Sequence, residues 1–188
     1  MLLATCYRLS VVIAQYSVIS KLNLMIKIIP ASIDDLKIVK EIAYKTWPLC
    51  YADILSSEQM NYMLDKFYNL EYLTQNIENG HVFLLAKEDN INLGFASYET
   101  NYKAEKKTHL HKIYMLPEAQ GKGIGKLLLN QVEYLAKENH STALSLNVNK
   151  FNKAQDFYKK NGFNVIDDVV IEIGHNYIMD DYIMEKEL

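Results

Sequence analysis

The chain has 188 residues, 49% of them apolar and 23% charged, with a formal net charge of −3. That length suits one domain with a single substantial core, and the mildly acidic balance gives no electrostatic case for nucleic-acid binding. Two cysteines, Cys6 and Cys50, form no C-x-x-C pair and no His/Cys spacing suggests zinc, so a reduced cytoplasm and metal-free chemistry are expected.

The first 24 residues carry LSVVIAQYSVIS after Arg8, which loosely resembles a signal peptide. Gln15, Tyr16 and Ser17 break the apolar run, and no clean small-x-small cleavage site follows. The run is too short and polar to span a membrane. Met25 opens MIKIIPASIDDL, a natural first strand, so residues 1–24 are read as an extension and 25–188 as the domain.

Met25 to Ile29 form a β-type run ending at Pro30. Ser32, with Asp34 and Asp35 behind it, suits a helix start. Leu36, Val39, Ile42 and Ala43 recur at helical spacing, and Trp47-Pro48 is expected to end that helix. Ser56 with Gln59 fits a capping box before the stripe Met60, Met63, Leu64 and Phe67. A further helical piece runs from about Leu70 to Asn79, closed by Gly80. Three β-type segments follow at 81–87, 91–102 and 108–115, with short turns that suggest antiparallel neighbours. Strand alternation places His109, His111, Ile113 and Met115 on one face.

Gly123 to Asn139 reads as an amphipathic helix and Leu144, Leu146 and Val148 as a strand. Asn152 with Gln155 suggests another capped helix, and Gly162 its C-terminal glycine. Two β runs at 165–173 and 177–187 close the chain around Gly174-His175-Asn176. The fold class is therefore α/β (α+β), with a mixed sheet and helices on both faces.

Between the third β segment and the amphipathic helix lies QGKGIG, Gln120 to Gly125. Glycines at alternate positions admit close backbone approach. The helix start behind them offers free N–H groups and a positive dipole end, a ready anion site. The spacing is neither the dinucleotide fingerprint nor the Walker loop, since Gly125-Lys126 is followed by Leu127. A glycine-rich turn without a ligand is the plain alternative.

The order HLHKIYMLP (109–117), QGKGIG, helix, strand, then NKAQDFYKKNGF (152–163) resembles the GNAT acyltransferase superfamily. The resemblance covers residues 25–188, and the C-terminal YIMDDYIMEKEL looks like the PaiA-type polyamine acetyltransferase branch. It implies a GNAT-like mixed, mostly antiparallel central sheet, with acetyl-CoA as co-substrate and a small amine as acceptor. No nucleic acid or membrane partner is implied, and the oligomeric state is open between monomer and homodimer. The CoA pyrophosphate is expected on Gln120, Gly121, Lys122, Gly123, Ile124, Gly125 and Lys126. The pantetheine arm is expected along Ile113, Tyr114 and Met115, with a backbone N–H polarising the thioester carbonyl, and Asn152 close by.

By the same resemblance Tyr158 stands where a phenol approaches the CoA sulfur, while Phe157 is read as core. Glu99, His109 and His111 are base candidates, and a water chain could serve instead. Trp47, Tyr51 and the helices up to Phe67 correspond to the variable cover of the acceptor site. Asp167, Asp168, Glu172, Asp180 and Asp181 could attract a polyamine or form a solvated hairpin surface. Lys103, Lys106 and Lys107 read as a solvated loop or as steering for a polyanion. A non-catalytic acyl-CoA sensor and a nucleotide-binding module are the competing functions.

Overall fold

A computed structural model describes residues 26–188. The reading of residues 1–24 as an extension lies outside them. The described chain runs β1 (Ile26–Pro30), α1 (Leu36–Tyr51), α2 (Ser57–Phe67), α3 (Leu70–Glu78), β2 (Val82–Glu88), β3 (Ile91–Thr100), β4 (Lys107–Met115), α4 (Ile124–Glu138), β5 (Ala143–Asn149), α5 (Ala154–Lys160), β6 (Asn164–Gly174) and β7 (Tyr177–Glu187). The seven strands form one sheet in the order β1-β2-β3-β4-β5-β7-β6. Every neighbouring pair is antiparallel except β4 with β5.

Helix α1 does not stop at Trp47-Pro48 as the sequence suggests; it runs to Tyr51 with Pro48 inside. Proline removes one helical N–H and disfavours the preceding turn. Tertiary packing outweighs that cost, because buried Trp47 stacks against Tyr51 at 4.7 Å and Tyr68 at 5.4 Å between ring centroids. Ser32 is the N-cap of the short turn Ile33–Asp35 that leads into α1, and the Asp35 carboxylate closes the capping box by accepting from the Ser32 N–H at 2.9 Å and its hydroxyl at 2.7 Å. Ser56 and Asn69 cap α2 and α3 directly, accepting from the Gln59 and Tyr72 N–H groups.

A β-bulge overturns one expectation about β4. Leu110 pairs with Tyr98 and Lys112 with Ser97, so His111 is the extra residue. One inserted residue reverses the alternation beyond it. His109, Lys112 and Tyr114 therefore share a face with Phe95, Ser97 and Glu99, whereas Ile113 and Met115 share the opposite face with Leu110. The packing agrees. Tyr114 lies against Trp47, Tyr68 and Phe95 on the α1–α3 side, while Met115 meets α4 at Gly125. Helices thus cover both faces, with Leu85, Phe95, Leu128, Leu129 and Leu144 fully buried in the core.

Candidate active site

Strands β4 and β5 pair only from Lys107–Ala143 to Leu110–Leu146. Beyond that point β4 stays with β3 up to Met115, and β5 stays with β7 up to Asn149. The sheet splits between them, and a cleft of about 770 Å³ opens there. Ile113, Tyr114 and Met115 line it on the β4 side, Asn149 and Asn152 on the β5 side, with Tyr51 and Tyr158 between. Backbone groups on the open edge of β4 are left for a ligand, since each buried strand edge needs hydrogen-bond partners.

The glycine loop stands at one end of this cleft, where Gln120 lines it. Gly121 and Gly123 both have φ of +76°, a conformation that L side chains rarely adopt, and a Cβ on either would meet nothing within 4 Å. Gly123 is the N-cap of α4, whose first helical hydrogen bond runs from the Leu127 N–H to the Gly123 carbonyl. The N–H groups of Ile124, Gly125 and Lys126 precede that bond and point out of the helix start. Gly125 has a different role from its two neighbours. A Cβ there would lie 2.8 Å from Met115 Cε, so this glycine seats α4 on β4. Lys122 also departs from a simple anion ligand, because its Nζ is paired with Glu88 at 3.1 Å.

Tyr158 is buried on α5 and lines the cleft. Burial, ahead of the nearby Tyr51 and Cys50, pushes its phenol well above the ordinary tyrosine range. Tyr51 shares a hydrogen bond with Tyr114, hydroxyl to hydroxyl, at 3.0 Å. Desolvation raises Tyr51 to about 12 and Tyr114 further still, so both stay neutral hydrogen-bonding groups. Asn152 Oδ1 accepts from the Ala154 N–H at 2.8 Å and so starts α5 as a cap. The reciprocal half of the box is absent: Gln155 donates instead to the Asn149 and Lys150 carbonyls.

The three base candidates come together. His111 Nε2 lies 3.1 Å from Glu99 Oε2, and the His109 and His111 ring centroids are 4.7 Å apart. His109 Nδ1 and Ser145 Oγ share a hydrogen bond at 2.9 Å, and the Ser145 hydroxyl also reaches the Thr108 carbonyl at 3.4 Å. Burial lowers His109 to about 4 and His111 lower still, so both imidazoles are neutral near pH 7. A fourth member, His81, carries no signal in the sequence; it stacks on His111 at 4.0 Å and approaches Glu99 at 3.7 Å.

The nearest ligand atoms of His81, Glu99 and His111 lie within 4.8 Å of one another. Two imidazoles can hold one ion only if it lies near both ring planes. These rings are stacked at 15°, so neither lone pair can share an ion with the other without a ring turning. Lys112 was also missed, although a lysine in the apolar tract HLHKIYM is its signal. Its Nζ donates to Asn76 Oδ1 at 3.2 Å beneath Tyr68, Tyr72 and Phe83, and burial lowers it to about 8. Of the five C-terminal acids, Asp168 and Asp180 bind Lys150, each at 2.7 Å, and Asp167 and Glu172 are exposed. Only Asp181 is buried and lines the cleft.

A split sheet with a glycine-started helix at its mouth and a tyrosine in its floor is an acetyltransferase arrangement, and the comparisons agree. The Acetyltransferase (GNAT) domain family matches residues 51–185. The spermidine N(1)-acetyltransferase of Thermoplasma acidophilum is 32% identical over 148 residues, covering 76% of this chain and 90% of that protein. The chain therefore belongs to the GNAT acetyltransferase family. Among solved structures, the PaiA N-acetyltransferase of Thermoplasma acidophilum in complex with coenzyme A superimposes with a TM-score of 0.72 at 31% identity, over 87% of this chain and 99% of that one. A GCN5-related N-acetyltransferase from Rhodopseudomonas palustris shares the fold, with a TM-score of 0.74 at 20% identity over 86% of this chain and 95% of that one.

Proposed function

We propose that the protein moves the acetyl group of acetyl-CoA to a primary amine by direct attack, with a polyamine-type small amine as acceptor. The observation that carries this reading is the joining of the open α4 N-terminus, the unpaired edge of β4 and Tyr158 in one cleft. The CoA complex of the Thermoplasma relative and that relative's spermidine activity support the co-substrate and the acceptor class.

In this reading the pyrophosphate rests on the 120–126 backbone, where the helix dipole and free N–H groups favour negative charge. The Lys122 ammonium is held by Glu88 and its N–H turns to the Ala119 carbonyl at 3.4 Å, so the free donors are those of the glycines and the α4 start. Ile113, Tyr114 and Met115 hold the pantetheine arm through backbone groups, and an N–H among them polarises the thioester carbonyl as it gains charge. The amine nitrogen forms a bond to the carbonyl carbon, the carbon–sulfur bond breaks, CoA leaves as thiolate, and the nitrogen sheds its extra proton to solvent to leave the neutral amide. Tyr158 donates a hydrogen bond to that sulfur. Its raised pKa makes full proton transfer still more uphill than the ~2 kcal/mol expected from ordinary Tyr and thiol values. A hydrogen bond to developing charge requires no such transfer.

An alkyl ammonium titrates near ~10, so the amine must lose a proton before attack. Burial leaves His109 and His111 neutral but makes them weak bases, so the proton is carried to solvent through water, with Glu99 and the two imidazoles as relay points. The test is a screen of acetyl-CoA turnover across polyamines, amino acids, aminoglycosides and peptides. Amine-dependent CoA release is expected, highest with polyamines. CoA binding without release under any acceptor would instead make the protein an acyl-CoA sensor.

A further inference from the structure

Asp181 is 8% exposed, and among the described residues its carboxylate receives no hydrogen bond and no ion pair. Its neighbour Asp180 already holds Lys150 at 2.7 Å. A buried carboxylate without a partner is costly when ionised, and desolvation, reinforced by Asp180, raises this one to about 6.

Its place in the sheet fixes where a partner could come from. Asp181 pairs with Asn149 at the end of β5, beyond the point where β5 has left β4. It therefore stands on the wall across the split from β4, beside Tyr51, whose phenol is affected by its charge. Among the residues lining the cleft it is the one carboxylate. The cations there are Lys112, held by Asn76 under three rings, and Lys153, exposed at the start of α5. Lys150, whose charge favours the ionised form of Asp181, is already held by Asp168 and Asp180, so a direct counter-ion for Asp181 has to enter through the cleft.

We propose that Asp181 binds the ammonium form of the acceptor, so that the cleft takes up primary alkyl ammonium ions, polyamines included, and holds them against Tyr51 before the proton leaves. The assignment rests on the acetyl-transfer reading for the amine's role as substrate, but the binding itself can be measured without turnover.

The experiment is calorimetry of spermidine binding to the full chain saturated with CoA, from pH 8 to pH 5. The primary ammonium groups of spermidine stay protonated across that window, since such groups titrate near ~10. The charged and titratable groups around Asp181 are Asp180, Lys150 and Tyr51. His109 and His111, which also line the cleft, titrate at about 4 and below. Affinity should fall at least about tenfold as the pH drops through the range where Asp181 takes up its proton. At pH 7.5, Asp181→Asn should bind spermidine at least about tenfold more weakly, with little pH dependence and unchanged CoA affinity. Wild-type affinity that is absent, or flat from pH 8 to pH 5, overturns the assignment, and this holds even if the variant fails to fold. A folded Asp181→Asn protein within twofold of wild type overturns it as well. pH-dependent spermidine binding without any acetyl transfer would remove the enzyme reading and leave the ammonium site standing. Transfer with flat binding would do the reverse.

Discussion

Tyr158 has a buried ring and lines the cleft. Tyr158→Phe keeps the ring and its edge contacts with Phe157 and Phe163. CoA affinity and stability should change little, while kcat and kcat/KM fall together. Loss of one preorganised donor typically costs ~2.7–4 kcal/mol; a fall of at least about tenfold in kcat is expected where chemistry limits turnover. An unchanged single-turnover rate would reduce Tyr158 to packing. Asp181 carries a stability prediction of the opposite kind. Its folded pKa of about 6 lies above the ordinary 3.8, so its contribution is fully present below pH 3.8 and lost as the pH rises through 6. Two units correspond to roughly 3 kcal/mol at most. Ligand-free Asp181→Asn should therefore melt higher than wild type at pH 8, with the gap shrinking toward pH 4. A variant less stable than wild type at pH 8 would show that the carboxylate has a partner. At this scale the sequence pointed to the residue type but not to the individual. Tyr158 was legible through its motif, whereas Asp181 was one of five acids until the sheet buried it alone.

The elements show glycines doing three separate jobs. Gly123 supplies a left-handed N-cap beside the proposed pyrophosphate site, so Gly123→Val should strain the helix start by about 1–2 kcal/mol and block ligand approach. A fall in CoA affinity of at least about tenfold with the fold retained is expected by calorimetry, and wild-type affinity in a folded variant would move the pyrophosphate elsewhere. Gly94 on β3 faces backbone: a Cβ there would sit 2.6 Å from the Tyr114 carbonyl oxygen and 3.0 Å from Met115 Cα. Gly94→Ala must push β3 from β4 where Tyr114 and Met115 line the cleft, at a cost of about 1–3 kcal/mol. It should lower the urea midpoint more than Gly125→Ala does, because the latter meets only the flexible end of Met115. Equal midpoints would mean that β3 and β4 separate without cost. Helix positions, strand positions and the glycine-started α4 were all readable from periodicity and turn chemistry. The bulge at His111 was not, because an inserted residue leaves no mark until two strands are paired.

Across the whole molecule, the split between β4 and β5 ties the halves of the site together. One wall belongs to the β1–β4 side and the other to β5, β7 and β6. A ligand filling that split should bridge the walls. Amide hydrogen exchange should slow on CoA addition in 112–116 and 120–126, with no change at the β6–β7 turn around Gly174. Exchange left unchanged in both segments would mean that CoA binds outside the split. The crossover from β4 through α4 to β5 and the long terminal hairpin follow from the order of elements along the chain, whereas the insertion of β7 between β5 and β6 does not. How far β4 and β5 stay paired does not, since residues 111–115 and 147–149 read as ordinary strand.

By itself the sequence determined the α/β class, the near-complete order of elements, the glycine loop at the start of α4 and the position of Tyr158 on the α5 helix, because these depend on local periodicity, turn residues and spacing within a short stretch. Tertiary structure decided that α1 continues through Pro48, that the histidines face away from Ile113 and Met115, that Lys122 is occupied by Glu88, and that Asp181 alone among five acids is buried in the cleft. The physical reason is common to all four. Each depends on what a side chain meets across the fold, and desolvation, ion pairing and packing are set by neighbours far away in the chain.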